Sequence, residues 1–193
     1  MPETTPDARP GLSELLRGVE HGDPDALASL IAILYPELKR LARLQLAREP
    51  DGHTLNTTAI VHEAYLRMAA GKRTWSDRKH FLRAASIVMR HLLVDHARKK
   101  RTDKRGAGQV PLPLEEERVA VEAEALAVLS LDHALKRIAR IDPDLERIIE
   151  CRCFAGLSVS ETAQALEMSV RTTERNWRRA KGYLLNMMKP DER

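Results

Sequence analysis

Residues 157–187, LSVSETAQALEMSVRTTERNWRRAKGYLLNM, decide the fold. Ser158-Val-Ser-Glu161 has the spacing of a capping box, in which a Ser hydroxyl and a Glu carboxylate each satisfy a free backbone N–H at a helix start. The short helix it opens carries Ala163 and Leu166 on its inner face. Glu167-Met168-Ser169 forms a three-residue turn, and a longer helix follows from Val170 to about Met187, with Pro190 beyond its end. Ala163, Leu166, Val170, Thr173, Trp177, Ala180 and Leu184 fall on one helical stripe and are the expected buried side. The opposite side carries Arg171, Thr172, Glu174, Arg175, Arg178, Arg179 and Lys181. Short helix, tight turn and long basic helix is the helix-turn-helix pattern. Arg is the side chain best suited to guanine edges, and Arg and Lys both neutralise phosphates. Arg171, Thr172 and Arg175 sit near the helix N-terminus, where such helices touch bases. Arg178, Arg179 and Lys181 lie further along, at the level of the DNA backbone.

Upstream of this unit the helical period continues. Leu131, Leu135 and Ile138 mark one amphipathic helix. Asp142-Pro143 starts the next, with Leu145, Ile148 and Ile149 inward and Gly156 at its end. Before them, Thr102 to Pro113 holds two glycines and two prolines and reads as a linker. Asp23-Pro24 begins a helix whose apolar residues run from Leu27 to Leu44, and Pro36 is expected to kink or split it. Pro50-Asp51-Gly52 is a turn. A third helix spans about Thr57–Ala70 behind Asn56, and a fourth runs from Arg78 to about Lys100 behind Asp77. No stretch alternates like a strand. The expected fold is all-α, with two small helical domains over residues 11–101 and 126–188, joined by a linker over 102–125.

The net charge of +4 hides a sharper pattern. Between Lys72 and Arg105 there are twelve Lys or Arg against three Asp, whereas five Glu oppose one Arg between Pro113 and Ala125. Two basic blocks around an acidic one suit two surfaces for a polyanion. Trp75 sits among Lys72, Arg73 and Arg78, where it could stack an unpaired base or instead cap the helical core. Cys151 and Cys153 are expected to be packing residues, since two positions apart on a helix they face different ways. His62, His91 and His96 lack a ligand spacing, so no metal and no cofactor is expected. Neither a signal peptide nor an apolar run of membrane-spanning length is present, and a cytoplasmic protein is expected. A nucleic-acid hydrolase would need convergent carboxylates, a metal cluster or an activated nucleophile, and none is found; the protein is not expected to be an enzyme. A self-sufficient dimeric regulator would leave the middle basic helix unexplained.

The stretch LDHALKRIARIDPDLERIIECRCFAGLSVSETAQALEMSVRTTERNWRRAKGYLL (131–185) resembles region 4 of extracytoplasmic-function (ECF) sigma factors. The stretch from Leu34 to Gly106 resembles their region 2, most closely in HTLNTTAIVHEAYLRM (53–68) and HLLVDHARKKR (91–101), which are similar to an ECF-like subgroup. Together they cover about residues 25–187. The resemblance implies core RNA polymerase and promoter DNA as partners, with an anti-sigma factor or other protein regulator as a further candidate. It implies that His62, Glu63 and Arg67 of the third helix dock on the polymerase. Lys72, Arg73, Trp75, Arg78, Arg83, Arg90, Arg98, Lys99 and Arg101 would engage the −10 element, with one flipped base near Trp75. Arg171, Thr172, Glu174, Arg175, Arg178 and Arg179 would read the −35 element, and the linker would thread toward the RNA exit path. Arg171, Glu174 and Trp177 depart from the residues usual in the family, which leaves the particular −35 sequence open. No further domain is expected after Met188.

Overall fold

The computed structural model describes residues 11–46, 56–71, 74–106 and 115–189. Among these there are eight α-helices, one π-helical turn and no strand. Helix α1 (Leu12–Glu20) starts at Gly11, whose N–H donates to the Glu14 carboxylate at 2.9 Å. Helix α2 (Pro24–Leu46) starts at Asp23, whose carboxylate accepts from the backbone of Asp25 and Ala26. It continues through Pro36 and is not split there. An interior proline costs about 3 kcal/mol. Leu30, Leu34, Leu38 and Leu41 are buried on both sides of it, at about 1.5–3 kcal/mol each, so burial outweighs the lost backbone bond.

Helix α3 (Thr57–Ala69) is capped by Asn56, whose Oδ1 accepts from Ala59 N–H at 2.8 Å. Helix α4 (Arg78–Gly106) begins where Asp77 accepts from His80 N–H at 2.9 Å. These four helices enclose one core, in which Leu30, Leu38, Leu41, Ile60, Met68, Phe81 and Met89 are fully buried.

The expected linker is helical at both ends. Thr102–Gly106 continues α4, and Glu115 opens α5 (Glu115–Ile141); the residues between lie outside the described ones. Nothing from Thr102 to Arg105 breaks a helix, and the breakers begin only at Gly106.

Helix α6 (Pro143–Ile149) is capped by Asp142 and passes into a π-helical turn, Glu150–Phe154, which ends at Gly156 with φ +66°. That left-handed conformation is what calls for glycine at position 156, and a Cβ there would also meet the tip of Arg40 of α2 at 3.1 Å. Helix α7 (Val159–Ala165) has the capping box in full, with Ser158 N–H donating to Glu161 at 2.8 Å and Glu161 N–H donating to Ser158 Oγ at 3.2 Å. Those bonds hold the Glu161 carboxyl below its usual value. Helix α8 (Val170–Met187) follows Ser169.

The second core gathers Leu135, Ile138, Leu145, Ile149, Phe154 and Ala180, with Ile148, Cys151, Ala155, Leu157 and Leu166 packed beneath α7. A bridging cluster of Val94, Ala97, Ala125 and Leu129 seats α5 on α4, so the two halves meet directly. No described helix is long and apolar enough to cross a membrane.

Candidate nucleic-acid interface

The start of α8 is held firmly. Ser169 Oγ accepts from Thr172 N–H at 3.1 Å and donates to Thr172 Oγ1 at 2.9 Å, and Thr173 Oγ1 donates back to Ser169 O at 3.1 Å. Ala163, Leu166, Thr173 and Ala180 are buried as expected, and Trp177 and Leu184 are half-buried. Val170 is the exception: it is 47% exposed, and Asn176 is buried in the stripe instead. The turn before α8 holds Glu167 in the left-handed region at φ 54°.

Val170, Arg171, Thr172, Glu174, Arg175 and Arg178 line one shallow surface concavity. Five of the six residues expected to face the −35 element therefore stand together. Arg179 does not; its guanidinium lies 3.4 Å from Asp142, at the cap of α6. Trp177 carries two cations near its ring, Arg152 at 5.4 Å and Lys181 at 5.3 Å from the centroid. Arg152 also donates to Leu157 O, which fixes the chain between the π-helical turn and α7.

On α4 the expected basic face is divided. Lys99 and the outer part of Arg98 are exposed. Arg78 pairs with Glu37 at 2.6 Å, and hydrogen bonding from Arg78 holds the Glu37 carboxyl low. Arg83 and Arg90 point into the protein. Arg83 Nη2 donates to Glu150 at 2.8 Å. Arg90, with a side chain 8% exposed, donates to Asp132 at 2.9 Å and reaches Glu150 at 3.4 Å. Arg98 and Lys136 also close on Asp132, at 3.3 and 2.8 Å. Burial would raise the Asp132 carboxyl, but Lys136, Arg90 and Arg98 outweigh it and hold it below its usual value. Burial and the neighbouring Arg90 charge lower His91, and burial with Glu150 nearby raises Glu146. Lys72 and Arg73 lie outside the described residues, as does the side chain of Arg101.

Trp75 is 6% exposed and packs edge-on against Phe81, with ring centroids 5.0 Å apart. Of the two roles open to it in the sequence, this structure shows the packing one. On α3, His62, Glu63, Leu66 and Arg67 are exposed on one side, and Arg67 pairs with Asp95 of α4 at 2.9 Å. Sequence reasoning missed Asp132 and Glu150. Their signal was a carboxylate inside an apolar helical stripe, as in Ile148-Ile149-Glu150-Cys151.

The family model for the ECF sigma factor matches residues 10–189, which includes every helix of both halves. The chain belongs to the ECF sigma factor family. It is therefore an RNA polymerase sigma factor that acts in transcription initiation. No individually curated protein matches it. In this sigma factor the helical pair α7–α8 carries the exposed basic concavity, and α4 carries the divided basic face. No group of His, Cys, Asp or Glu among the described residues is arranged to hold a metal ion.

Proposed function

We propose that this sigma factor binds core RNA polymerase and recognises both promoter elements, with residues 11–101 serving the −10 side and 126–188 the −35 side. In this reading α7–α8 is a helix-turn-helix. Arg171, Thr172, Glu174 and Arg175 meet base edges in the major groove, and Arg178 and Arg179 meet phosphates. The observation that carries this is the concavity at the start of α8, where three arginines, a threonine and a glutamate share one exposed surface. His62, Glu63 and Arg67 are the contact with the polymerase. Lys72, Arg73, Arg78, Arg83, Arg90, Arg98, Lys99 and Arg101 follow the −10 strand, with Trp75 beside the flipped base.

The energetics require a partner. Opening DNA costs about 1.4 kcal/mol per stacked step, and an aromatic returns about 1–3 kcal/mol for each base it stacks. Two tryptophans and a basic helix cannot hold a melted stretch of several steps. The sigma factor supplies selection and nucleates opening, and the polymerase keeps the strands apart and makes the phosphodiester bonds. Its place of work is that of the polymerase, the cytoplasm.

The experiment is reconstitution with core polymerase on a library of promoter fragments. Transcripts should start at a subset of fragments sharing an upstream and a downstream motif. Transcription no more selective than that of core alone refutes the proposal.

A further inference from the structure

We propose that this sigma factor carries a receptor site for a small neutral amphiphile, in a cavity of about 210 Å³ where α2, α4, α5, α8 and the π-helical turn converge. A dry apolar cavity of about 150 Å³ takes up benzene, so this one has room for about eight non-hydrogen atoms. The ligand class is a mostly apolar molecule of that size with a single hydroxyl, such as an alkylated phenol. Of the residues assigned above to DNA or polymerase, the cavity touches only Arg90.

Its walls are apolar and firmly held. Leu93, Leu131, Ile149, Phe154 and Leu184 come from five different elements, so no single helix face could show the cavity in the sequence. Phe154 is pinned by the Arg90 guanidinium, 5.7 Å from its ring centroid. Wall atoms that face a void lack the partners a packed core supplies, and a ligand would restore them. Cys153 and Phe154 reach the wall from the π-helical turn, a rare backbone form that recurs at functional sites. Leu44 and Met188 also line the cavity, yet they are 43% and 41% exposed, so its mouth opens to solvent between the C-terminal ends of α2 and α8.

The polar groups on the wall set the chemistry of the ligand. Arg90 and Asp132 are spent on each other at 2.9 Å, so neither calls for a charged ligand. Gln45 is buried; its Nε2 donates to Ser86 O at 3.0 Å, and its Oε1 has no partner among the described residues. Arg90 Nε is likewise buried and unpaired. One acceptor and one donor are thus left over beside the cavity, whereas buried polar atoms in native proteins are nearly always paired. A hydroxyl both donates and accepts, and so suits the two together.

The test titrates p-cresol and p-xylene into the full chain. The two molecules match in shape and size, and differ in a hydroxyl against a methyl group. Saturation-transfer NMR gives each dissociation constant. Protection of Cys153 from alkylation, read by mass spectrometry, reports whether the cavity is the occupied site. The inference predicts saturable binding of p-cresol, about three- to tenfold tighter than p-xylene, the worth of one hydrogen bond. Partition into apolar surface alone predicts the reverse order, because p-xylene is the more hydrophobic. Gln45→Met should abolish the difference, since it removes the acceptor and keeps the wall apolar. Ala127→Phe, at the exposed rim, should weaken both ligands, and circular dichroism shows that each variant has folded. No saturable binding, or p-xylene at least as tight as p-cresol, overturns the inference. So does p-cresol binding that leaves Cys153 labelling unchanged or that is undiminished in folded Ala127→Phe.

Discussion

Trp75→Ala separates a tryptophan that builds the fold from one held out for a base. Trp75 is 6% exposed, and its ring meets Phe81 at 89° with centroids 5.0 Å apart. A buried Trp removes about 150–250 Å² from water, which at about 25 cal/mol per Å² sets an upper bound of about 4–6 kcal/mol. Truncations of buried aromatics to Ala cost about 3–5 kcal/mol, part of it the edge-to-face pair. That range is the expected loss for the N-terminal half, and Trp75→Phe should lose less because it keeps an aromatic edge. Urea unfolding measures it, with circular dichroism as the signal and the slope required to stay constant. Trp75 and Trp177 are the two tryptophans, so fluorescence in a Trp177→Phe background follows Trp75 alone. A loss below about 1 kcal/mol would refute the packing argument, since surface substitutions rarely exceed ±0.5 kcal/mol.

Three other perturbations probe different parts of the molecule. Arg175→Ala should lower selectivity for the upstream element, at about 1–3 kcal/mol per lost base contact, with core affinity unchanged; competition between promoter fragments measures this, and an equal loss on all of them speaks against base reading. Changing Glu63 and Arg67 to Ala should weaken core binding in a pull-down without altering promoter preference, and a changed preference would move these residues off the polymerase face. Burial pushes the Cys151 thiol up from 9.0 to about 11. The folded state therefore favours the protonated form, and its contribution is complete below pH 9 and lost as pH rises toward 11. Cys151 should resist alkylation at pH 8 until the chain unfolds, as read by mass spectrometry, and rapid labelling of the native protein would contradict its buried position.

Local chemistry was legible in the sequence, and pairing between distant segments was not. The bounds of α8, the Ser158 capping box and the Asp142-Pro143 start were readable because each depends on residues within four positions. Arg83 and Arg90 looked like members of a solvent-facing basic run, because their partners lie 67 and 42 residues away on other helices. Periodicity shows that a face is covered and says nothing of what covers it. Val170 and Asn176 exchanged places, and the left-handed Glu167 in the turn before α8 has no glycine to announce it. At Pro36 the helix is not split, because a local rule yielded to the burial of four leucines. Arg171, Thr172, Glu174, Arg175 and Arg178 stayed legible as one exposed surface because their spacing is set within a single helix.

The most direct measurement is site-specific photocrosslinking in the assembled holoenzyme on an open promoter, with the reactive group at position 175 in α8 or at position 79 in α4. The account predicts that position 175 joins the upstream duplex, that position 79 joins the downstream element, and that the second crosslink disappears without core polymerase. Both positions marking the same stretch of DNA, or position 79 reaching DNA equally well in the free chain, would contradict it.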